Sequence, residues 1–331
     1  MRTYHSHLIK ISTGTVLLAL LTACGAEKPL HSTEVAARSI HSAALSNDGQ
    51  FAIIGAEYHG GSVWRLRDNE RLYDWNHRSG EQTTFTAASF SPDGQWALTT
   101  DSKTLVLWNT ATGAGERFWS GTADVLDISL GAKGNLALLG LADRTAALYA
   151  AKRGGVLRSF QHGERVTSVA LSEDGKLALT GSDDHSAILW DTESGKALHN
   201  MLHSDPIQLV ALSADGQRAL SAAQYDSIRV WDTRSGAALW ELPVKKEWLR
   251  RGMTVSSARF SDDGAYLLTG RPDGFVQLWD IAQQSLMYEW KLPRRKAYQP
   301  LVPAVLSVGF GNEGNRFYAV SADGFVHQLG Y

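Results

Sequence analysis

The chain has 331 residues, 44% of them hydrophobic and 20% charged, with a formal net charge of −2. That composition excludes a disordered chain and supplies apolar material for one large or two average packed domains. The slightly acidic balance gives no basis for nucleic-acid binding, which calls for a marked excess of Lys and Arg.

The first element stands apart from the rest. Residues 1–10 carry Arg2 and Lys10 and no acid, and the apolar run ISTGTVLLALLTA follows. A basic start, a short apolar run and small residues at its end are the layout of a secretory signal. The run is shorter than the roughly 20 residues that span a bilayer comfortably. It ends at Leu21-Thr22-Ala23-Cys24, which resembles the lipobox of bacterial lipoproteins. The resemblance implies a signal peptide over 1–23, cleavage before Cys24, and lipidation of Cys24 as the new first residue. Such proteins carry three acyl chains, so attachment to the membrane would be permanent. Gly25, where Asp would mark inner-membrane retention, implies the outer membrane. Cys24 is the only cysteine; once lipidated it leaves no thiol or disulfide, and a large core needs neither. Loss of Arg2 and Lys10 lowers the net charge by two, to −4.

From about Ser39 the chain repeats itself. One copy reads HGERVTSVALSEDGKLALTGSDDHSAILWDTESGKAL, from His162 to Leu198. The next reads HSDPIQLVALSADGQRALSAAQYDSIRVWDTRSGAAL, from His203 to Leu239. Turn markers fall at Asp48-Gly49, Asp93-Gly94, Lys133-Gly134, Asp174-Gly175, Asp215-Gly216, Asp263-Gly264 and Glu313-Gly314. They count seven units, the central ones 41 residues apart. Within a unit, Val166 to Leu171 reads as a strand ending at a Ser-x-Asp-Gly hairpin signal, and Leu177 to Thr180 runs back. A turn at Asp183-Asp184-His185 leads into Ala187 to Trp190, and one at Ser194-Gly195 into a final edge strand. No segment keeps a helical period beyond two turns, so the chain is all-β. One such unit cannot bury both faces; neighbours must stack, and a closed ring removes the exposed edges.

These units resemble the WD40 (Trp-Asp) repeat family. The dipeptide is literal at Trp190-Asp191, Trp231-Asp232 and Trp279-Asp280, and decays to Trp108-Asn109, Trp64-Arg65 and Tyr149-Ala150. The resemblance implies a seven-bladed β-propeller of four-stranded antiparallel blades over residues 29–331, with 24–28 as lipidated N-terminus and short tether. It also implies a buried hydrogen-bond network inside a blade, matched fully by His162, Thr180, Asp184 and Trp190. In the fifth repeat His203, Ser221 and Trp231 fit, but Tyr225 stands where Asp is expected. In the sixth, Thr269, Asp273 and Trp279 fit, but Arg251 takes the His position. The seventh repeat stops after its third strand at Tyr331, so the family pattern implies an outer strand from the N-terminus, around Pro29 to Glu34. The blade-connecting loops would then point away from the membrane.

No catalytic site is expected: His162 and Asp184 belong to the packing network and no nucleophile is presented beside them. No metal or cofactor is expected either. The Asp-Gly pairs lack alternating oxygen ligands, the remaining histidines lack ligand spacing, and no Gly-rich phosphate loop is present.

Departures from the repeat are localised. The interval from Asp215 to Asp263 is 48 residues and from Gly264 to Gly314 it is 50; a smaller excess, 45, separates Asp48 from Asp93. All three excesses fall in blade-to-blade connections, near 244–250, 293–301 and 76–84, on one face of the ring. The two longer ones carry Lys245, Lys246, Arg250 and Arg251, then Arg294, Arg295 and Lys296 with Tyr298 close by. Flanking one blade, they would merge into a basic patch on an otherwise acidic body. Of eleven tryptophans only Trp248 has no place in the repeat. Trp beside Arg is the composition of interface hot spots, although a ring tucked under its own solvated loop fits the same residues. The expected function is a non-catalytic, membrane-anchored protein-interaction scaffold of the bacterial envelope. A receptor for an anionic glycan or lipopolysaccharide is the alternative, and a propeller enzyme ranks below both.

Overall fold

The computed structural model describes residues 26–78, 80–243, 254–295 and 302–331, which form 28 strands, β1 to β28 in chain order. They make seven four-stranded antiparallel sheets. The inner strands are β2 (Ile40–Leu45), β6 (Ala87–Phe90), β10 (Val125–Gly131), β14 (Val166–Leu171), β18 (Ile207–Leu212), β22 (Ser257–Phe260) and β26 (Val305–Phe310). Each packs on the next, and β26 packs back on β2. The architecture is the seven-bladed propeller expected from the repeat.

Blade 4 shows why the sequence folds this way. Between β14 and β15 (Leu177–Ser182), Gly175 takes φ +73° and its N–H donates to Ser172 O at 2.9 Å. Ser172 Oγ donates to Asp174 Oδ1 at 2.8 Å and accepts Leu177 N–H at 3.0 Å, so serine and aspartate hold both ends of the hairpin. β16 (Ser186–Asp191) ends on the Trp-Asp pair, and there Asp191 Oδ1 accepts Ser194 N–H at 2.6 Å, capping the turn into β17 (Ala197–Leu202). The aspartate of the dipeptide is therefore a turn cap. Asn109 also presents an acceptor oxygen, taken by Ala111 and Thr112 N–H at 3.0 and 3.1 Å, so the decayed pair in blade 2 keeps its function.

The core is divided rather than central. Seven apolar clusters lie one at each blade interface; that between blades 3 and 4 joins Leu138, Leu148 and Phe160 to Val166, Val169 and Trp190. Each interface is stabilised at roughly 25 cal/mol per Å² of apolar surface removed from water. Polar stitches line the inner ring: Ser129 Oγ accepts Leu171 N–H, and Ser168 Oγ accepts Val210 N–H, each at 3.1 Å and each from the following blade.

Ring closure uses both termini. β1 (His31–Glu34) pairs antiparallel with β28 (Phe325–Gly330), from His31 opposite Gln328 to Glu34 opposite Phe325. The ladder starts past Pro29, which has no N–H to give, and Leu30 N–H extends it by donating to Gln328 O at 2.8 Å. Further upstream, Glu27 N–H donates to Glu289 O and Lys291 N–H to Glu27 O, both at 2.8 Å. The chain is thus already fastened to the outer strand of blade 6, β25 (Ser285–Lys291), before it reaches blade 7.

Candidate functional site

Blade 4 assembles the four expected residues. His162 Nε2 lies 2.7 Å from Thr180 Oγ1, Trp190 Nε1 donates to the same oxygen at 2.8 Å, and His162 Nδ1 lies 3.0 Å from Asp184 Oδ2. Asp184 also accepts Gly163 N–H at 2.7 Å. A neutral imidazole with its proton on Nδ1 satisfies the whole chain: it donates to Asp184 and accepts the Thr180 hydroxyl, whose oxygen accepts the indole N–H. Burial lowers the His162 pKa and outweighs the nearby Asp184 charge. For Asp184 burial acts upward, but hydrogen bonds from Ser186 and Gly163 outweigh it and the pKa falls below the usual carboxylate value. The hydroxyl–imidazole–carboxylate order resembles a hydrolase triad, but Thr180 and the His162 side chain are sealed from solvent. This network holds the blade together.

Blade 5 corrects the expectation at Tyr225. His203 bonds Ser221 Oγ at 2.7 Å, Trp231 Nε1 donates to it at 2.7 Å, and His203 Nδ1 lies 3.2 Å from Asp226 Oδ2. The connection between β19 (Arg218–Ala223) and β20 (Ile228–Asp232) is one residue longer than in blade 4, so the aspartate arrives one position later and Tyr225 is left exposed. Sequence reading missed blade 2, where His77 Nε2 and Trp108 Nε1 meet Thr99 Oγ1 at 2.9 and 2.8 Å. His77 Nδ1 faces Asp101 at 3.5 Å, too long for a good hydrogen bond. The Thr99-x-Asp101 spacing is two residues shorter than Thr180 to Asp184, which hid the match.

Blade 6 keeps the Trp279-to-Thr269 hydrogen bond, at 2.9 Å, and carries a cluster of charged residues between β23 (Tyr266–Gly270) and β24 (Phe275–Asp280) and at the end of β25. Buried Arg271 grips Asp273 with two bonds, Nε to Oδ1 at 3.0 Å and Nη2 to Oδ2 at 2.6 Å. Lys291 Nζ donates to Asp273 O at 2.6 Å and sits 3.7 Å from the Phe275 ring centroid, with Arg271 Cζ 5.1 Å from that centroid. Burial lowers the Lys291 pKa; Asp273 resists, while Arg294 and Arg271 push further down. Cations therefore crowd the blade-connecting face at blade 6.

The basic patch is described only in part. Lys245, Lys246, Trp248, Arg250, Arg251, Lys296 and Tyr298 lie outside the described residues, as does Cys24. Arg294 is exposed on the connection after β25. Arg295 is tied down: its N–H donates to Asp323 Oδ2 at 3.1 Å, its guanidinium to Ala36 O and Asp323 O at 3.2 Å, and it pairs with Glu34. It clamps the blade 6–7 connection to the closing strand.

The central channel holds about 380 Å³ and is lined by two half-buried ionisable side chains, Asp127 and Arg259. Asp127 accepts N–H bonds from Val169 and Ile128, each at 2.8 Å, and burial pushes its pKa up to about 6. Arg259 of blade 6 passes Gly309 of blade 7 and donates to Leu45 O at 3.0 Å and to Asn47 Oδ1 of blade 1. A Cβ at Gly309 would press on Leu45, at 3.2 Å, and would only touch the guanidinium, at 3.6 Å. Both charges are spent on holding blades together. Among the described residues no group of three His, Cys, Asp or Glu is placed to hold a metal ion, and no helix is long and apolar enough to cross a membrane.

The family model for the WD domain, G-beta repeat, matches residues 75–109, 154–191 and 250–280. WD repeat-containing protein 91 of Xenopus tropicalis is 29% identical over 91 residues, covering 26% of this chain and 11% of the relative. The chain thus spans about a tenth of the length of that curated relative. WD40 propellers are typically non-catalytic scaffolds that bind other proteins. The chain carries WD40 repeats in three matched segments and closes seven four-stranded blades in one ring, a seven-bladed β-propeller.

Proposed function

We propose that this propeller is a non-catalytic interaction scaffold of the bacterial cell envelope, anchored by lipid on Cys24 and docking partner proteins on its blade-connecting face. The observation that carries the reading is the cation cluster of blade 6: Arg271, Lys291 and exposed Arg294 gather on the face from which the two long basic connections depart. Trp248, between Lys246 and Arg250, supplies an aromatic anchor of the kind that dominates binding energy.

The test is co-purification from membranes. A variant with Lys246, Trp248, Arg250 and Arg294 changed to Ala, and Arg295 left in place to preserve ring closure, loses the partners that wild type retains. An identical partner list removes the patch. The anchor is tested separately by acyl labelling and fractionation of wild type against Cys24→Ala. The basic residues of the two long connections, with exposed Arg294 between β25 and β26, also favour a second reading, a receptor for an anionic glycan or lipopolysaccharide. That reading requires direct, salt-dependent binding to purified polysaccharide.

A further inference from the structure

We infer that the outer corner of blades 6 and 7, on the side of the turns that enter the outer strands, rests on the bilayer surface. The inference depends on lipidation of Cys24 and adds which part of the body meets the membrane. Four large apolar residues are exposed at this corner: Leu30 (63%), Tyr331 (50%), Leu286 (44%) and Met287 (40%). Leu30 and Tyr331 lie on the blade 7 side of β25, and Leu286 and Met287 stand at the start of that strand. Tyr331 stacks on Tyr288 of β25 with ring centroids 4.1 Å apart, and the Leu30 side chain lies over Gly330, where a Cβ would come within 2.7 Å of Leu Cδ1. Leu286 pairs with Trp279, and in blades 2, 4 and 5 the matching positions hold Gly115, Ala197 and Ala238, opposite Trp108, Trp190 and Trp231. Blade 3 holds exposed Val156 opposite Tyr149 at this position, so an apolar start to the outer strand recurs in the ring; what sets the corner of blades 6 and 7 apart is the addition of Leu30 and Tyr331.

The occupant follows from where the described chain begins. Glu27 is hydrogen-bonded to Glu289 and Lys291 on the same β25, three residues after Cys24. Three residues reach at most roughly 10 Å. The bridge of Glu27 to Trp290 is parallel to β25, so the chain enters it from the side of Leu286 and Met287, and acyl chains on Cys24 would meet the membrane beside this corner. Electrostatics oppose the alternative of lying flat on the whole turn face. That face presents Asp48, Asp93, Asp174, Asp215 and Asp263 on its hairpins, each fixed by a serine hydroxyl and turned toward any anionic headgroups. Seating on one corner tilts those carboxylates away and leaves the blade-connecting face in water.

The experiment places a single thiol at Met287, at Leu157 on blade 3, or at Asp143 on the blade-connecting face. Each thiol is unique, because Cys24 is the only native cysteine and its sulfur carries the lipid. The lipidated proteins are labelled with an environment-sensitive fluorophore and bound to phosphatidylethanolamine–phosphatidylglycerol vesicles containing a headgroup-nitroxide lipid. Quenching several-fold stronger at 287 than at 157 or 143 is expected, and Leu30→Asp with Leu286→Asp should reduce it to the level of the other two. Equal quenching at all three positions, or quenching indifferent to the double substitution, overturns the inference while vesicle flotation upholds the anchor. Failure of the lipidated protein to float overturns the anchor itself, and the corner with it.

Discussion

Blades 4 and 6 are built on the same repeat and use it differently. Both bury a tryptophan whose indole N–H meets a threonine hydroxyl, at 2.8 Å in blade 4 and 2.9 Å in blade 6. Blade 4 continues that bond into a neutral histidine and a satisfied carboxylate, all directed inward. Blade 6 has a separate cluster, Arg271 and Asp273 with Lys291 about Phe275, beside long connections to the neighbouring blades. A network that serves only folding can be neutral and closed. Blade 6 keeps the tryptophan–threonine bond and adds charged groups at the blade-connecting face, where Arg294 is exposed.

The widest separation between the two regions should appear at tryptophan. Trp190→Ala removes a buried aromatic and should cost about 3–5 kcal/mol in urea unfolding. Trp248→Ala, outside every packing position of the repeat, should stay within about 0.5 kcal/mol; a larger loss would assign Trp248 to the core.

Acid titration probes the histidines next. His327 is buried between Ser32 and Ser321, and burial lowers its pKa from 6.5 to about 4. The unfolded chain takes the proton first, so the stability from a neutral His327 is complete above pH 6.5 and is lost as pH falls toward 4. The difference amounts to on the order of 3 kcal/mol. His162 and His203 are lowered in the same sense, whereas Asp127, raised to about 6, regains stability as pH falls below 6. Subtracting the pH profile of His327→Gln from wild type isolates one group, and a flat difference would contradict the assigned burial.

Smaller effects separate residues adjacent in sequence. Asp226→Ala leaves His203 without its carboxylate and should cost about 1–3 kcal/mol, while Tyr225→Ala should change little. Arg295→Ala should destabilise by about 1–2 kcal/mol through loss of its bonds to Ala36 and Asp323, and Arg294→Ala by less than about 0.5 kcal/mol. Thermal or urea melts of the four variants check both pairs.

The repeat made the fold legible because turn chemistry is local: serine, aspartate and glycine within four residues define each hairpin, and apolar alternation sets the faces. The blade 4 network was legible for the same reason, its members standing at family spacing. What escaped depends on geometry that spacing does not carry. One extra residue before β20 moved the aspartate from 225 to 226, and a shorter Thr-to-Asp interval concealed His77. Arg259 reaches blade 1 over a glycine of blade 7, and Arg295 meets Glu34 across 261 positions. Basic residues in an insertion look alike in sequence, yet folding fastens Arg295 and leaves Arg294 exposed.

The central claim is that blade 6 carries binding chemistry which stability does not need. It is tested most directly by measuring, on one preparation, the melting temperature and the membrane partners of the Lys246, Trp248, Arg250 and Arg294 to Ala variant. The account predicts a melting temperature like that of wild type with loss of partners; unchanged partners, or loss only alongside unfolding, would contradict it.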